Sequence, residues 1–334
     1  MTYDFKKECK DLYLPKTKPM RIEVPAMTFI AVAGTGDPNA EDGTYAEALG
    51  LLYALSYAIK MAKKGDWQPE GYFDYTVPPL EGLWWGGEGA FDGASIGDKA
   101  ALSWVSLIRQ PDFVTPEVFA WARDAVTKKK SELADALTAG CARLVRFAEG
   151  PCAQVMHKGP YDNEPATIAA LSAFIAEEGL VEDIAVGGES PAGHAVTAPF
   201  DPEGVLDALD VDGAVPSVRL HHEIYLGDPR RTKPENLKTV IRHPVRARQE
   251  DAEFTRSHEL STQTVKFTLS REFGAFCSFR LLVSSRSRCA NGGWCRLLRN
   301  GRRGLRGQGP RGRRQVRFLG LRWNAGPGDS WARP

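Results

Sequence analysis

Residues 20–246 carry one pattern twice, and this repeat limits the chain to folds with two similar halves. The segment TFIAVAGTGDPNAEDGTYAEAL resembles CAQVMHKGPYDNEPATIAAL, and each reads as a strand, a glycine turn, an acidic linker and a helix. Further along, LIRQPDF at 107–113 matches VIRHPVR at 240–246. Each unit, 20–112 and 143–246, is therefore predicted to run strand, helix, strand, strand.

The helices of this pattern have recognisable starts. In the first unit Thr44 and Glu47 have the spacing of a capping box ahead of an apolar stripe. In the second unit Pro165 suits the first helical turn, and Thr115 caps a further helix between the units. The sequence predicts an α/β (α+β) fold made of two pseudo-symmetric strand-helix-strand-strand modules.

The two units differ mainly in one stretch. Residues 182–218 are longer than their counterpart and rich in Gly, Ala, Asp and Val, which predicts a flexible loop insertion. The second strand of the first unit is assigned to FDYTV at 73–77, which aligns with HEIYL at 222–226. This alignment sets Asp74 opposite Glu223, and we interpret Asp74 as a solvated acid at a strand end.

The C-terminal part has a different composition. Residues 1–250 hold 26 Lys and Arg against 37 Asp and Glu, whereas residues 251–334 hold 17 against 5. In the latter part Arg outnumbers Lys 16 to 1, and segments such as RNGRRGLRGQGPRGRRQ lack apolar periodicity, which predicts a largely disordered tail. An Arg/Gly tail binds nucleic acid without sequence preference. The favoured alternative is a frame-shifted translation of GC-rich DNA.

Several classes of protein are disfavoured. No apolar run is long enough to cross a bilayer and the N-terminus lacks a signal peptide, so a cytoplasmic protein is expected. The GTG at 34–36 lacks the third glycine of a dinucleotide fingerprint, and no cofactor is expected. Adjacent His221 and His222 face opposite sides of a strand, so no metal site is expected. The six cysteines show no paired spacing for zinc or a disulfide framework: Cys9, Cys141, Cys152, Cys277, Cys289 and Cys295.

One predicted strand carries an acid between two polar aromatic side chains on the same face. In RLHHEIYLG, His221, Glu223 and Tyr225 alternate with apolar and other residues, which places a carboxylate between an imidazole and a phenol. A carboxylate in a poorly hydrated aromatic site can pair with a lipophilic cation, or it can hold and activate a water as a general base. The face is therefore a candidate binding or catalytic site.

The motifs HKGPYDNEPATI, HHEIYLGDPRRTKPENLKTVIRHP and DLYLPKTKPMRIEVPAMTFIAVAGTGDPN resemble the stand-alone GyrI-like small-molecule-binding proteins, over about residues 3–248. The resemblance implies that the domain at 1–250 forms a ligand groove lined with aromatic residues. It also implies that the family's pocket glutamate, in EIY, is Glu223 and that its pocket tyrosine, in GPY, is Tyr161. The insertion at 182–218 departs from the family's shorter loop.

The resemblance also implies a function. A similar subfamily hydrolyses the cyclopropane ring of DNA-alkylating natural products, related domains sense drugs in transcription regulators, and the namesake binds DNA gyrase. About twenty residues precede the domain and show no helix-turn-helix, which disfavours a DNA-binding regulator. Nucleic acid is not an expected partner except through the basic tail.

The sequence therefore predicts a protein that binds planar hydrophobic molecules and hydrolyses cyclopropane-bearing or similar electrophiles, as in detoxification. The alternatives are a binder without catalysis and an effector-binding or gyrase-interacting protein. Glu223 is the predicted catalytic residue, which orients and activates water. Hydrogen bonds and aromatic stacking on the ligand are assigned to the other candidates, which are Tyr161, Tyr225, His221, Trp84, Trp85, Trp104, Tyr57 and Trp67.

Overall fold

A computed structural model describes residues 2–65, 67–86, 97–185 and 201–248 of the 334-residue chain. The strands are β1 Tyr3–Asp4, β2 Met20–Thr35, β3 Tyr75–Thr76, β4 Leu80–Gly86, β5 Leu102–Gln110, β6 Ala142–Lys158, β7 Leu180–Glu182, β8 His221–Tyr225 and β9 Lys238–Ala247. The helices are α1 Phe5–Glu8, α2 Lys10–Tyr13, α3 Thr44–Lys60, α4 Pro116–Lys129, α5 Ala134–Thr138, α6 Glu164–Glu177 and α7 Pro202–Leu209. The predictions made for the basic tail fall on residues outside this description.

Six strands close into a ring. The order β6-β2-β5-β4-β8-β9 is antiparallel throughout, and β9 pairs again with β6. Strand β7 extends the sheet from β9, and the two-residue strands β1 and β3 form a separate parallel pair. The fold is thus a barrel-like α+β structure, in which each ring strand has partners on both sides.

The ring has internal symmetry. The first unit supplies β2, α3, β4 and β5, and the second supplies β6, α6, β8 and β9, so the predicted fold class is confirmed. The units join where β2 pairs with β6 and where β4 pairs with β8. These two inter-unit pairings place β4 and β8 side by side on the pseudo-twofold axis.

The second strand of the first unit lies in a different segment from the predicted one. The strand that pairs with β8 is Leu80–Gly86, whereas 73–77 contributes only Tyr75–Thr76 to the small pair with β1. The aromatic side chains of Phe73 and Tyr75 pack on Tyr3 and Phe5 of the N-terminal segment, so this stretch does not join the six-stranded ring. Asp74 is accordingly not the counterpart of Glu223. It lies 2.6 Å from Lys63 Nζ in a partly exposed ion pair.

The two faces of the ring have different coverings. Helices α3 and α4 pack outside the first half, against residues such as Ile30 and Ile108, and α6 packs outside the second half, against Ile241. The inner face is closed by the N-terminal segment and by α7. Every ring strand contributes to this inner core, through Phe29, Leu83, Leu107, Phe147, Ile224 and Val240.

Helix α7 corrects the prediction for 182–218. Part of this stretch, expected to be a flexible loop, is the helix Pro202–Leu209, whose side chains of Val205 and Leu209 are buried in the inner core. The Asp201 carboxylate caps it by accepting from Gly204 N. The composition of this stretch is typical of a loop, but the spacing of its apolar residues is that of a helix. Residues 186–200 lie outside the described part.

A charged network crosses the inner core. His222 on β8 lies 3.0 Å from both Glu81 on β4 and Glu149 on β6, and Arg242 on β9 donates to Glu149 at 2.8 Å. Burial opposes ionisation of Glu149, but His222 and Arg242 outweigh it and lower its pKa to about 2. Burial also disfavours the charged form of His222, but Glu149 and Glu81 raise its pKa to about 9. Four ring strands are thus tied together by ion pairs.

The structure also bears on membrane insertion. Within the described ranges, no helix combines the length and the apolar character that crossing a bilayer demands.

Candidate functional site

The candidate site lies on the outer, helix-covered face of β8. Because strand residues alternate, this face carries His221, Glu223 and Tyr225, while His222 faces the inner core. The Glu223 side chain is only 12% exposed. One oxygen, Oε1, lies 2.9 Å from His221 Nε2, and Tyr225 OH donates to Oε2 at 2.7 Å. Both carboxylate oxygens therefore have fixed partners.

Strand β4 supplies the next contacts. Trp84 Nε1 donates to Tyr225 OH at 2.8 Å, so the tyrosine hydroxyl is itself held while it donates to Glu223. Gly82 pairs directly with Glu223 across the two strands. A Cβ at this position would come within 2.6 Å of Trp84 Nε1, so the glycine makes room for the indole hydrogen bond.

A second acid, Glu164, faces Glu223 from the first turn of α6. Burial, followed by the charge of Glu223, raises the pKa of Glu164 to about 10, so this group is neutral at pH 7. Burial also opposes ionisation of Glu223, but His221 and Tyr225 outweigh it and lower its pKa. The pair therefore combines a carboxylic acid with a carboxylate, the division of roles found where two acids do acid–base chemistry.

Sequence reasoning missed Glu164. It stands in DNEP, which was interpreted as an acidic linker ahead of the helix that begins near Pro165. The available signal was its position, since an acid in the first turn after GPY lies close to the predicted pocket tyrosine.

Aromatic rings surround this pair. The ring of Tyr161 meets that of Tyr225 edge-on, with centroids 5.9 Å apart. Burial, together with the neighbouring acids Glu164 and Glu223, raises the pKa of Tyr161 to about 12, so its hydroxyl remains a donor. Tyr45, which the sequence did not single out, contacts Trp84 at a centroid distance of 5.5 Å.

Trp104 contacts the site indirectly, through Tyr45. It is buried, and its ring packs edge-on against Tyr45 with centroids 5.1 Å apart. The indole covers Gly34, where a Cβ would come within 2.5 Å of the ring. Trp104 therefore supports the aromatic wall of the site through Tyr45.

Three predicted ligand-binding residues are not brought to this group. Trp85 points to the inner core, on the opposite face of β4 from Trp84. Trp67 packs on Trp121, with centroids 4.7 Å apart, and is partly exposed. Tyr57 is exposed on α3, and its ring lies 6.3 Å from that of Tyr53. Hydrophobic periodicity in the sequence does not show which surface each aromatic side chain contacts. It therefore could not distinguish these three residues from the aromatic residues beside Glu223.

In the part of the chain that the structure describes, no three His, Cys, Asp or Glu side chains are grouped so that they could hold a metal ion.

The raised pKa of Glu164 predicts a stability cost. The unfolded chain ionises Glu164 near pH 4.5, whereas the folded protein keeps it protonated up to about pH 10. Stability is therefore lost progressively as the pH rises between these values. We expect Glu164→Gln, which keeps a hydrogen-bond donor, to raise the free energy of unfolding at pH 8 by about 1–3 kcal/mol.

Urea denaturation of the full chain at pH 5 and pH 8 measures this effect. The gain should be larger at pH 8 than at pH 5, and Glu177→Gln, an exposed change on the same helix, should show no such difference. A Glu164→Gln variant that is equally destabilised at both pH values would contradict a neutral Glu164.

Three solved structures from Listeria innocua are similar to this chain. One, a hydrolase, is 41% identical, with a TM-score of 0.56, and the match covers 73% of this chain and 100% of the other. An uncharacterized conserved protein is 43% identical, with a TM-score of 0.58 and the same coverage. A further hydrolase is 41% identical, with a TM-score of 0.57, and the match covers 74% of this chain and all of the other. Neither a protein-family model nor a curated protein matches the sequence.

Proposed function

We propose a hydrolytic function from the premise that the chain belongs to the same family as these three Listeria innocua proteins, two of which are described as hydrolases. The observation that carries the proposal is the buried pair of acids, in which the surroundings lower the pKa of Glu223 and raise the pKa of Glu164. Such a pair supplies a base and an acid at one place. The surrounding rings favour a planar, hydrophobic substrate.

The resemblance to GyrI-like proteins narrows the substrate to cyclopropane-bearing or similar electrophiles. In a cyclopropane conjugated to a carbonyl, ring strain already weakens the bond that must break. An enzyme then needs to place water against a ring carbon and to stabilise the developing enolate oxygen. Detoxification of such alkylating compounds is the role that this chemistry serves.

The residues of the site suit each part of this step. Glu223 accepts a proton from the attacking water, whose oxygen forms a bond to a ring carbon. The ring carbon–carbon bond breaks, and its electron pair moves to the carbonyl oxygen as an enolate. Neutral Glu164 or the Tyr161 hydroxyl then gives a proton to that oxygen. The product is the substrate plus one water. The cycle closes when Glu223 loses the proton that it accepted and the donor regains the proton that it gave.

The fixed contacts of Glu223 explain why it would act as the base. His221 and Tyr225 occupy defined positions on its two oxygens, so the carboxylate is oriented before a substrate arrives. The Trp84 hydrogen bond to Tyr225 holds that orientation from the neighbouring strand. Preorganisation of this kind lowers the reorganisation needed during the reaction.

A binder without catalysis is the second candidate. The lowered pKa of Glu223 favours an ionised carboxylate among aromatic rings, and this is the arrangement that retains a flat lipophilic cation. Such a protein would sequester a compound without changing it.

Mass spectrometry separates the two candidates. We expect the full chain, incubated with a planar cyclopropane-bearing enone, to yield the substrate plus one water in a time- and enzyme-dependent manner. Heat-denatured protein provides the background rate. Binding of the enone without formation of the water adduct would reject hydrolysis and leave the binder.

A further inference from the structure

A line of side chains runs from Glu223 to the edge of the sheet, across β8, β9 and β7. His221 Nε2 contacts Glu223, and His221 Nδ1 lies 2.8 Å from His243 Nε2. His243 Nδ1 in turn lies 3.1 Å from Glu182 Oε1. Both imidazoles are buried, whereas the Glu182 side chain is 30% exposed. The line therefore connects the candidate site to solvent at β7.

The three contacts of this line require three protons. Each contact joins two nitrogen or oxygen atoms at hydrogen-bond distance, and two neutral imidazoles supply only two protons. With Glu223 and Glu182 ionised, the third proton makes one ring an imidazolium. Burial lowers the pKa of His243, which disfavours a positive charge on that ring.

The same three protons can satisfy every contact in two other arrangements. In one, Glu182 is protonated, both rings are neutral and Glu223 is ionised. In the other, Glu223 is protonated and Glu182 is ionised. One proton hop in each contact converts the first arrangement into the second, without movement of any heavier atom. The net result is the transfer of one proton from Glu182 to Glu223.

We propose that Glu182, His243 and His221 form a proton path that exchanges protons between Glu223 and solvent while a ligand covers the aromatic side of the site. The inference rests on the proposed hydrolysis, in which Glu223 must regain its ionised form after each reaction. A proton enters or leaves at Glu182, whose Oε1 also accepts from Ser172 Oγ at 2.7 Å. His243 and Glu182 are positioning residues, since they act on Glu223 through His221.

Other titratable groups lie next to the path. Glu164 from α6 and Tyr225 from β8 face Glu223 and affect its charge. Glu182 from β7 and His221 from β8 face the two sides of the His243 ring. A test must therefore report on the two rings themselves and not only on the pH dependence of the reaction.

Two variants test the path in the full chain, Glu182→Gln and His243→Gln, with Glu177→Gln as the exposed control. In nitrogen-15 NMR of the histidine rings, we expect Glu182→Gln to change the protonation of both His221 and His243. In kinetics, both variants should lower kcat for the cyclopropane-bearing enone by roughly ten- to a hundredfold with KM nearly unchanged. Thermal melting confirms that each variant is folded.

The outcomes distinguish the path from the proposed function. If Glu182→Gln leaves the His221 ring unaffected, the proton path is rejected, whatever the activity. If the rings respond together but kcat and its pH profile are unchanged while the wild type hydrolyses the enone, the path plays no part in turnover and the proposal is also overturned. If the wild type shows no hydrolysis, the proposed function fails, and joint titration of the two rings still supports proton exchange with Glu223.

Discussion

Glu223→Gln is expected to lower kcat for the hydrolysis of a cyclopropane-bearing enone by roughly 10²- to 10⁴-fold. Glutamine has nearly the same shape as glutamate, but its amide cannot accept a proton from the attacking water. It also presents a donor to either His221 Nε2 or Tyr225 OH, both of which now face carboxylate oxygens. The change thus removes the base and disturbs the orientation of the site. Product formation by the variant, measured by mass spectrometry, gives the ratio directly.

The control for this prediction is Glu177→Gln, the same chemical change at an exposed position on α6. It should leave kcat and KM unaltered. A Glu223→Gln variant that retained wild-type turnover would show that the base is another group. A loss of affinity for the enone without any wild-type turnover would instead identify Glu223 as a binding residue.

Arg242→Ala is expected to lower the free energy of unfolding by about 3–5 kcal/mol. The guanidinium is fully buried and donates to Glu149 at 2.8 Å, to Gln154 at 3.1 Å and to the Leu12 carbonyl at 2.8 Å. Its removal leaves the buried Glu149 carboxylate with His222 as its remaining charged partner, and it leaves a cavity between the ring and the N-terminal segment. Urea denaturation at pH 7 measures the effect.

Arg231→Ala is the matched control, because the Arg231 side chain is 87% exposed. Its effect should stay within about 0.5 kcal/mol. If Arg242→Ala cost less than about 1 kcal/mol, the ion pairs of the inner core would not be holding the four strands together.

The sequence allowed the two halves and their helices to be predicted because local signals define them. The capping residue Thr115 and the early proline in α6 mark helix starts, and the two Ile-Arg-x-Pro segments mark equivalent strands. Strand β4 was missed because LEGLWWG is buried on both faces and shows no alternation of apolar and polar residues. Helix α7 differs from the prediction because the Gly, Ala, Asp and Val content of 182–218 is typical of a loop, although its apolar residues have helical spacing.

The sequence predicted only those residues of the site that lie on a single strand. Alternation in β8 was enough to place His221, Glu223 and Tyr225 on one face. Glu164 and Tyr45 come from the first turns of two helices, and His243 from another strand. Their approach to Glu223 depends on how the halves pack together, and hydrophobic periodicity carries no information about such long-range contacts.

The pairing of β4 with β8 has an evolutionary consequence. Either half alone would have exposed strand edges, and the matching edges of a second copy would cover them, as in a symmetric dimer of short ancestral chains. Covalent fusion of the copies allows them to diverge: opposite Glu223 and Tyr225, the other half now has Gly82 and Leu80. One copy thus carries the carboxylate, while the glycine of the other leaves space for the indole that holds Tyr225 in place.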